Sequence, residues 1–162
     1  MHHKSDVDGV RLGLNDVAEI QRAYAELSSR LGATVLVSAM VPQGVEIALG
    51  MFSDSVAGPV VVIGAGGSLI EYFDDRVFAI PPFGPVKARE LIGRLALGAV
   101  LKGARGRSPA DIEQLANVVS NFSLLCAGLS DRLVEIDVNP IIVTPTAAVA
   151  VDGLVVSGDS AN

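Results

Sequence analysis

At 162 residues, half of them hydrophobic and 19% charged, the chain carries ample apolar material for one core and is unlike a disordered segment. Its formal net charge of −6 argues against nonspecific nucleic-acid or anionic-membrane binding. No apolar run is long enough to span a bilayer and no secretory leader is visible, so a cytoplasmic location is expected.

In chain order, Gly9 to Leu14 alternates as a strand does. Asn15-Asp16 then starts a helix in which Val17, Ile20, Tyr24, Leu27 and Leu31 recur at helical spacing, and Gly32 closes it. Thr34 to Met40 is β-branched and predicts a strand, and Pro42-Gln43-Gly44 a turn. Val45 to Phe52 predicts a further strand with Glu46 embedded in it. Pro59 to Ile63 predicts the next, ending in Gly64-Ala65-Gly66-Gly67, and Arg76 to Ile80 a short one before Pro81-Pro82.

A helix is expected over roughly Val86 to Leu97, followed by a loop from Leu101 to Arg107. Ser108-Pro109-Ala110-Asp111 opens another helix, with Ser108 as N-cap and Pro109 in the first turn. Ile112, Leu115, Val119, Phe122 and Cys126 form its apolar stripe. The single cysteine excludes an internal disulfide and reads as core. Val134 to Val143 and Ala148 to Asp152 form a terminal strand pair, and the last residues a frayed tail. The expected class is α+β, with an antiparallel sheet and helices packed on one face.

The most informative feature lies in that strand pair. Side chains alternate across a strand, so Glu135, Asp137 and Asn139 share one face while Ile136 and Val138 share the other. With a turn centred on Pro145-Thr146, Asn139 stands opposite Asp152. Asp137, Asn139 and Asp152 would then form an oxygen cluster of the kind Mg²⁺ takes. The competing reading is a solvated sheet face with scattered acids. Gly64 to Gly67 lacks the residues of a phosphate loop and reads as a strand-ending turn. Glu71 and Asp74-Asp75 read as an acidic turn. Lys102, Arg105 and Arg107 between glycines are either an anion grip or a solvated loop. His2 and His3 are the only histidines, so no nucleophile–histidine or zinc constellation can be built.

Taken in order, several segments carry a family resemblance. They are His3 to Val10, Val35 to Pro42 with Gly44-Val45-Glu46, Gly58-Pro59 through Gly67 to Glu71, Leu101 to Arg107, and Glu135 to Pro140 with Asp152. The set resembles the ATP-grasp domain of ADP-forming acyl-CoA synthetases, the group related to succinyl-CoA synthetase β. The resemblance implies ATP or ADP held with Mg²⁺ between two subdomains, and CoA bound mainly elsewhere. Phosphate would pass through a phosphohistidine to an acyl phosphate. By position, Asn139 and Asp152 correspond to the metal ligands, with Asp137 beside them. The backbone of Ser38, Ala39, Met40 and Val41 corresponds to the adenine hinge, and Glu46 to the ribose contact. His3 matches a histidine that relays phosphate, and Lys4 and Ser5 lie with it where the phosphates are approached.

Two residues depart from the pattern: Asp8 stands where Gly is usual, and Ala39 where an acid is common beside the hinge. The lysine-bearing strand and the CoA-binding part of the family have no counterpart here. Residues 1–157 are therefore expected to form a partial ATP-grasp domain, with 158–162 a flexible tail. The expected partner is a CoA-binding domain or subunit of the same enzyme, with no nucleic acid or membrane, and exposed apolar surface would favour self-association. The alternative function is a non-catalytic nucleotide-sensing or docking module; a purely structural domain is the third reading.

Overall fold

A computed structural model of the chain describes residues 7–67, 74–103 and 108–158. It forms two compact units, Met1–Met40 and Val41–Asn162.

The first unit is built on helix α1, Val17–Leu31, with the predicted boundaries. Asp16 caps it, its carboxylate accepting from the Glu19 N–H at 2.8 Å, while Glu19 accepts from the Asn15 N–H at 2.7 Å. That near-reciprocal arrangement satisfies donors that the first turn would leave unpaired. Gly32, at φ 107°, ends the helix in a conformation open to glycine. Arg11 ties the segment ahead of α1 to the helix, donating to both carboxylate oxygens of Asp8 and to Glu26, and Arg30 also reaches Glu26. The strands predicted over Gly9–Leu14 and Thr34–Met40 do not form: no ladder among the described residues runs through either. Leu12 and Leu36 are 72% and 91% exposed. β-branched composition favours a pleated, half-buried surface, and without a neighbour to pair with it specifies little.

The second unit is an antiparallel sheet with helices on one face. Its strands are β1 (Val45–Asp54), β2 (Gly58–Ala65), β3 (Arg76–Ala79), β4 (Leu133–Val143), β5 (Ala148–Ala150) and β6 (Leu154–Ser157). The order is β3-β2-β1-β4-β5, with β6 also on β4. Helices α2 (Pro85–Gly93), α3 (Gly98–Leu101) and α4 (Ile112–Gly128) lie between β3 and β4 in sequence. The expected helix to Leu97 thus breaks at Gly93, and the chain resumes as α3.

The breaks have local causes. The Asp75 carboxylate accepts from the N–H groups of Ala96 and Leu97, both at 2.8 Å, so the supposed acidic turn holds the chain between α2 and α3. Ser108 is not the cap of α4. Asp111 is, accepting from the Gln114 N–H at 2.9 Å while its own N–H is held by the Thr144 carbonyl. Competition between two good capping residues is settled by this tertiary bond.

The core joins Ile47, Leu49, Met51, Val61, Ile63, Ile136, Ile141 and Val143 of the sheet to Leu91 and Ile92 of α2 and Leu115, Val119 and Cys126 of α4. Burial pushes the Cys126 thiol up to about 11. Among the described residues no helix is long and apolar enough to cross a membrane.

Candidate functional site

The candidate site lies on the sheet face opposite the helices. In β4, Ile136 is buried while Glu135 is exposed and Asp137 and Asn139 are half-buried, as strand alternation predicts. The alternation then resets. Ile47 pairs with Ile141 and Leu49 with Val138, so Ala48 alone faces both Asn139 and Pro140. This is a β-bulge of two residues against one, and it carries the cis Asn139–Pro140 peptide. The bulge returns Ile141 and Val143 to the core while leaving Glu135, Asp137 and Asn139 on the open side.

The hairpin register follows the sequence reading. Thr144 Oγ1 accepts from the Thr146 and Ala147 N–H groups, closing a turn around Pro145-Thr146. Ile141 pairs with Ala150 and Val143 with Ala148; farther along, Asp137 pairs with Leu154 and Glu135 with Val156. The two ladders share one offset, and the chain between them passes Asp152 opposite Asn139. The strand expected over Ala148 to Asp152 ends at Ala150, and beyond 151–153 a further strand that the sequence reading did not assign, β6, follows. Asp152 is exposed, and its Oδ1 accepts from the Gly153 N–H at 2.9 Å.

A glycine turn adds a connection that spacing gives no sign of. Past β2, the Gly66 N–H donates to the Glu46 carbonyl at 2.9 Å and the Gly67 N–H to Asn139 Oδ1 at 2.9 Å. Gly67 has φ 62°, and a Cβ there would fall 1.4 Å from Glu46 Oε2. Gly66 crosses so near that a Cβ would lie 2.6 Å from the Ile47 backbone. The two glycines therefore bring the half-buried Glu46 and Asn139 to one place. Their N–H groups are occupied, which supports the strand-ending turn over a phosphate loop.

Beside this turn the open face is a groove of about 240 Å³. Ala48, Gly50 and Gly64 lie along it with Phe52 and Val62, Arg76 stands at one side, and Glu135 and Asp137 at the other. Ala48 and Gly50 of β1 and Gly64 of β2 leave little side chain over that part of the sheet.

The remaining predicted residues are distributed as follows. Ser38, Ala39 and Met40 are exposed at the end of the first unit, and Val41 is half-buried at the start of the second. His3, Lys4 and Ser5 lie outside the described residues, as do Glu71, Arg105 and Arg107. Asp8 has φ 50°, a conformation that favours glycine and that Asp tolerates better than most. Its carboxylate is held below its usual range, first by the hydrogen bond from Arg11, so its charge is partnered.

As a test of fit to Mg²⁺, the donor set is two carboxylates and an amide oxygen. Among the described residues no group of three or more His, Cys, Asp or Glu side chains is placed to hold a metal ion. Mg²⁺ takes one or two carboxylates and completes its shell with water and phosphate. Asn139 Oδ1 retains a second lone pair beyond its bond from Gly67.

An antiparallel sheet with helices on one face and a bare, oxygen-edged groove on the other defines the class, and comparison with known proteins places the chain in it. The ATP-grasp domain family matches residues 1–156. The chain is 32% identical over 158 residues to acetate–CoA ligase (ADP-forming) I subunit beta of Pyrococcus furiosus, spanning 93% of this chain and 68% of that one. It is 30% identical over 149 residues to 4-hydroxybutyrate–CoA ligase (ADP-forming) of Nitrosopumilus maritimus, covering 87% of this chain but only 21% of the relative. Among solved structures, Ca. Korarchaeum cryptofilum dinucleotide forming acetyl-coenzyme A synthetase 1, in complex with coenzyme A and Mg-AMPPCP, superposes with a TM-score of 0.87 at 31% identity. That match covers 97% of this chain and 71% of the other. The chain belongs to the ATP-grasp family, in the branch of the ADP-forming acid–CoA ligases.

Proposed function

We propose that this chain supplies the nucleotide- and Mg²⁺-binding part of a cytoplasmic ADP-forming acid–CoA ligase. The reaction would convert ATP, a carboxylic acid and CoA to acyl-CoA, ADP and phosphate. The γ-phosphoryl group passes to a histidine, then to the substrate carboxylate, and the CoA thiol displaces phosphate from the acyl phosphate. Such transfer depends on positioning and charge neutralisation. The observation that carries the reading is the register of β4 against β5 and β6, which sets Asn139 opposite Asp152, with a groove floored in part by Ala48, Gly50 and Gly64 on the same sheet face.

Asn139 and Asp152, with Asp137 beside them, would hold Mg²⁺, whose role is to neutralise charge on the transferring phosphate. Glu46, whose carboxylate lies next to Gly67, is assigned to accept from a ribose hydroxyl. Ser38, Ala39, Met40 and Val41 are assigned to the adenine by backbone hydrogen bonds, Lys4 and Ser5 to the phosphates, and His3 to the phosphate relay. CoA is bound by a partner domain or subunit. The relatives named acetate–CoA and 4-hydroxybutyrate–CoA ligases support the reaction class and leave the acid open.

Calorimetry with Mg·ADP and Mg·ATP tests this. Binding is expected in the wild-type chain, weakened at least tenfold when Mg²⁺ is chelated or in Asp152→Ala. Equal affinity with and without Mg²⁺, or in Asp152→Ala, would overturn the metal assignment.

A further inference from the structure

Among the described residues lining the groove, Arg76 is the one cation. The ladders define its position. Arg76 pairs with Gly64, Gly64 pairs with Ala48, and Ala48 faces the Asn139–Pro140 bulge, beyond which lies Asp152. One row crosses the sheet from a guanidinium, over two residues with little or no side chain, to the oxygen pair. Strand spacing puts the ends of that row, Arg76 and Asn139, about 14 Å apart.

Gly64 is central to this row. A Cβ there would come within 3.0 Å of Arg76 Cγ and 2.9 Å of the Asp75 carbonyl, so any larger residue would push against the base of the arginine. Absence of that carbon lets the Arg76 stem lie against the sheet at the groove's edge. The guanidinium is currently held by Asp74, with Nη2 at 2.7 Å and Nε at 2.9 Å from Oδ1. Both side chains are largely exposed, and such a pair is held only weakly in water.

We propose that Arg76 is a phosphate-binding residue of this groove. It contacts the polyphosphate of a nucleotide laid across Gly64 and Ala48, at the end away from the Asn139–Asp152 pair. This rests on the Mg²⁺·nucleotide reading above. A polyanion between a divalent cation and an arginine fork is neutralised from both sides, and the planar guanidinium suits phosphate oxygens. Asp74 is a competitor for the same fork, exchanged for phosphate when nucleotide arrives.

Calorimetric titration of the full chain with Mg·ADP and Mg·ATP decides the matter. Arg76→Ala is expected to weaken binding roughly tenfold, the scale of one charge-assisted hydrogen bond. Arg76→Lys should recover part of that loss, as a point charge without the fork. Asp74→Asn should tighten binding about threefold, because it frees the arginine; a purely structural ion pair would give no such gain. If Asp152→Ala abolishes binding while Arg76→Ala stays within twofold of wild type, the metal reading stands and the Arg76 assignment falls. If the wild-type chain binds neither nucleotide, both fall together.

Discussion

On one face of the sheet, β1 presents Ile47, Leu49 and Met51, each at most 1% exposed beneath α2 and α4. On the other, the residues alternating with them are Glu46, Ala48, Gly50 and Phe52. The same contrast holds in β4, where Ile136, Ile141 and Val143 face the helices and Glu135, Asp137 and Asn139 face away. The helix side selects for volume, because a packed interior penalises every missing methylene. The groove side carries Ala48 and Gly50 beside Phe52, with oxygen-bearing side chains at its rim. A shared backbone thus carries a packed surface and, on the function proposed above, a binding surface, which can be perturbed separately.

The largest expected effect is on the packed side. Ile63→Ala should lower unfolding free energy by about 2–5 kcal/mol in urea titration, while nucleotide affinity of the folded protein stays unchanged. A loss under about 1 kcal/mol would mean that this face is not packed as described. Next is Gly66→Ala, whose Cβ would meet backbone atoms of Ile47 and Ala48 at 2.6 to 2.9 Å. Backbone cannot swing aside as a side chain does, so a cost of about 1–3 kcal/mol is expected, with weaker nucleotide binding as the Gly67–Asn139 bond shifts. Unchanged stability would show that the turn is not wedged against β1.

Gly50→Ala sharpens the contrast from the opposite side. Its Cβ would find only ordinary contacts at 3.7 Å or more, so stability should hold or rise by up to about 1 kcal/mol. The added methyl nevertheless stands on the groove floor across from Asp137, and Mg·ADP affinity should fall several-fold. Loss of stability with affinity intact would reverse the roles given to the two faces. The smallest effect concerns Cys126 beneath the sheet. Its thiol is raised from 9.0 to about 11 by burial, so the folded state holds the proton more tightly than the unfolded state. Stability is unaffected by this group below about pH 9 and falls as pH rises from 9 towards 11. The decline should vanish in Cys126→Ala, measured as the difference between the two denaturation curves across pH.

The first unit offers a further lesson about legibility. Its helix was readable because an Asp16 cap, a 3.6-residue apolar period and Gly32 are all local signals. Its two β-rich segments were equally plain in composition and form no ladder among the described residues, because a strand is defined by a neighbour that composition does not name. In the second unit, the alternation of Glu135, Asp137 and Asn139 and the turn at Pro145-Thr146 were local enough to give the opposition of Asn139 and Asp152 in advance. The bulge at Asn139–Pro140 was not, since it depends on how β1 pairs on both sides of Ala48.

What the chain's order of residues determined by itself was the α+β class, most element boundaries, the family resemblance and the oxygen-bearing face. These rest on side-chain period, capping and turn chemistry, all of which act within a few residues. Only the tertiary structure decided which cap starts α4, that Asp75 anchors the chain ahead of α3, and that Gly66 and Gly67 bind Glu46 to Asn139. It alone aligned Arg76, Gly64, Ala48 and Asn139 in one row, because hydrogen-bonded register between strands far apart in sequence sets which side chains meet.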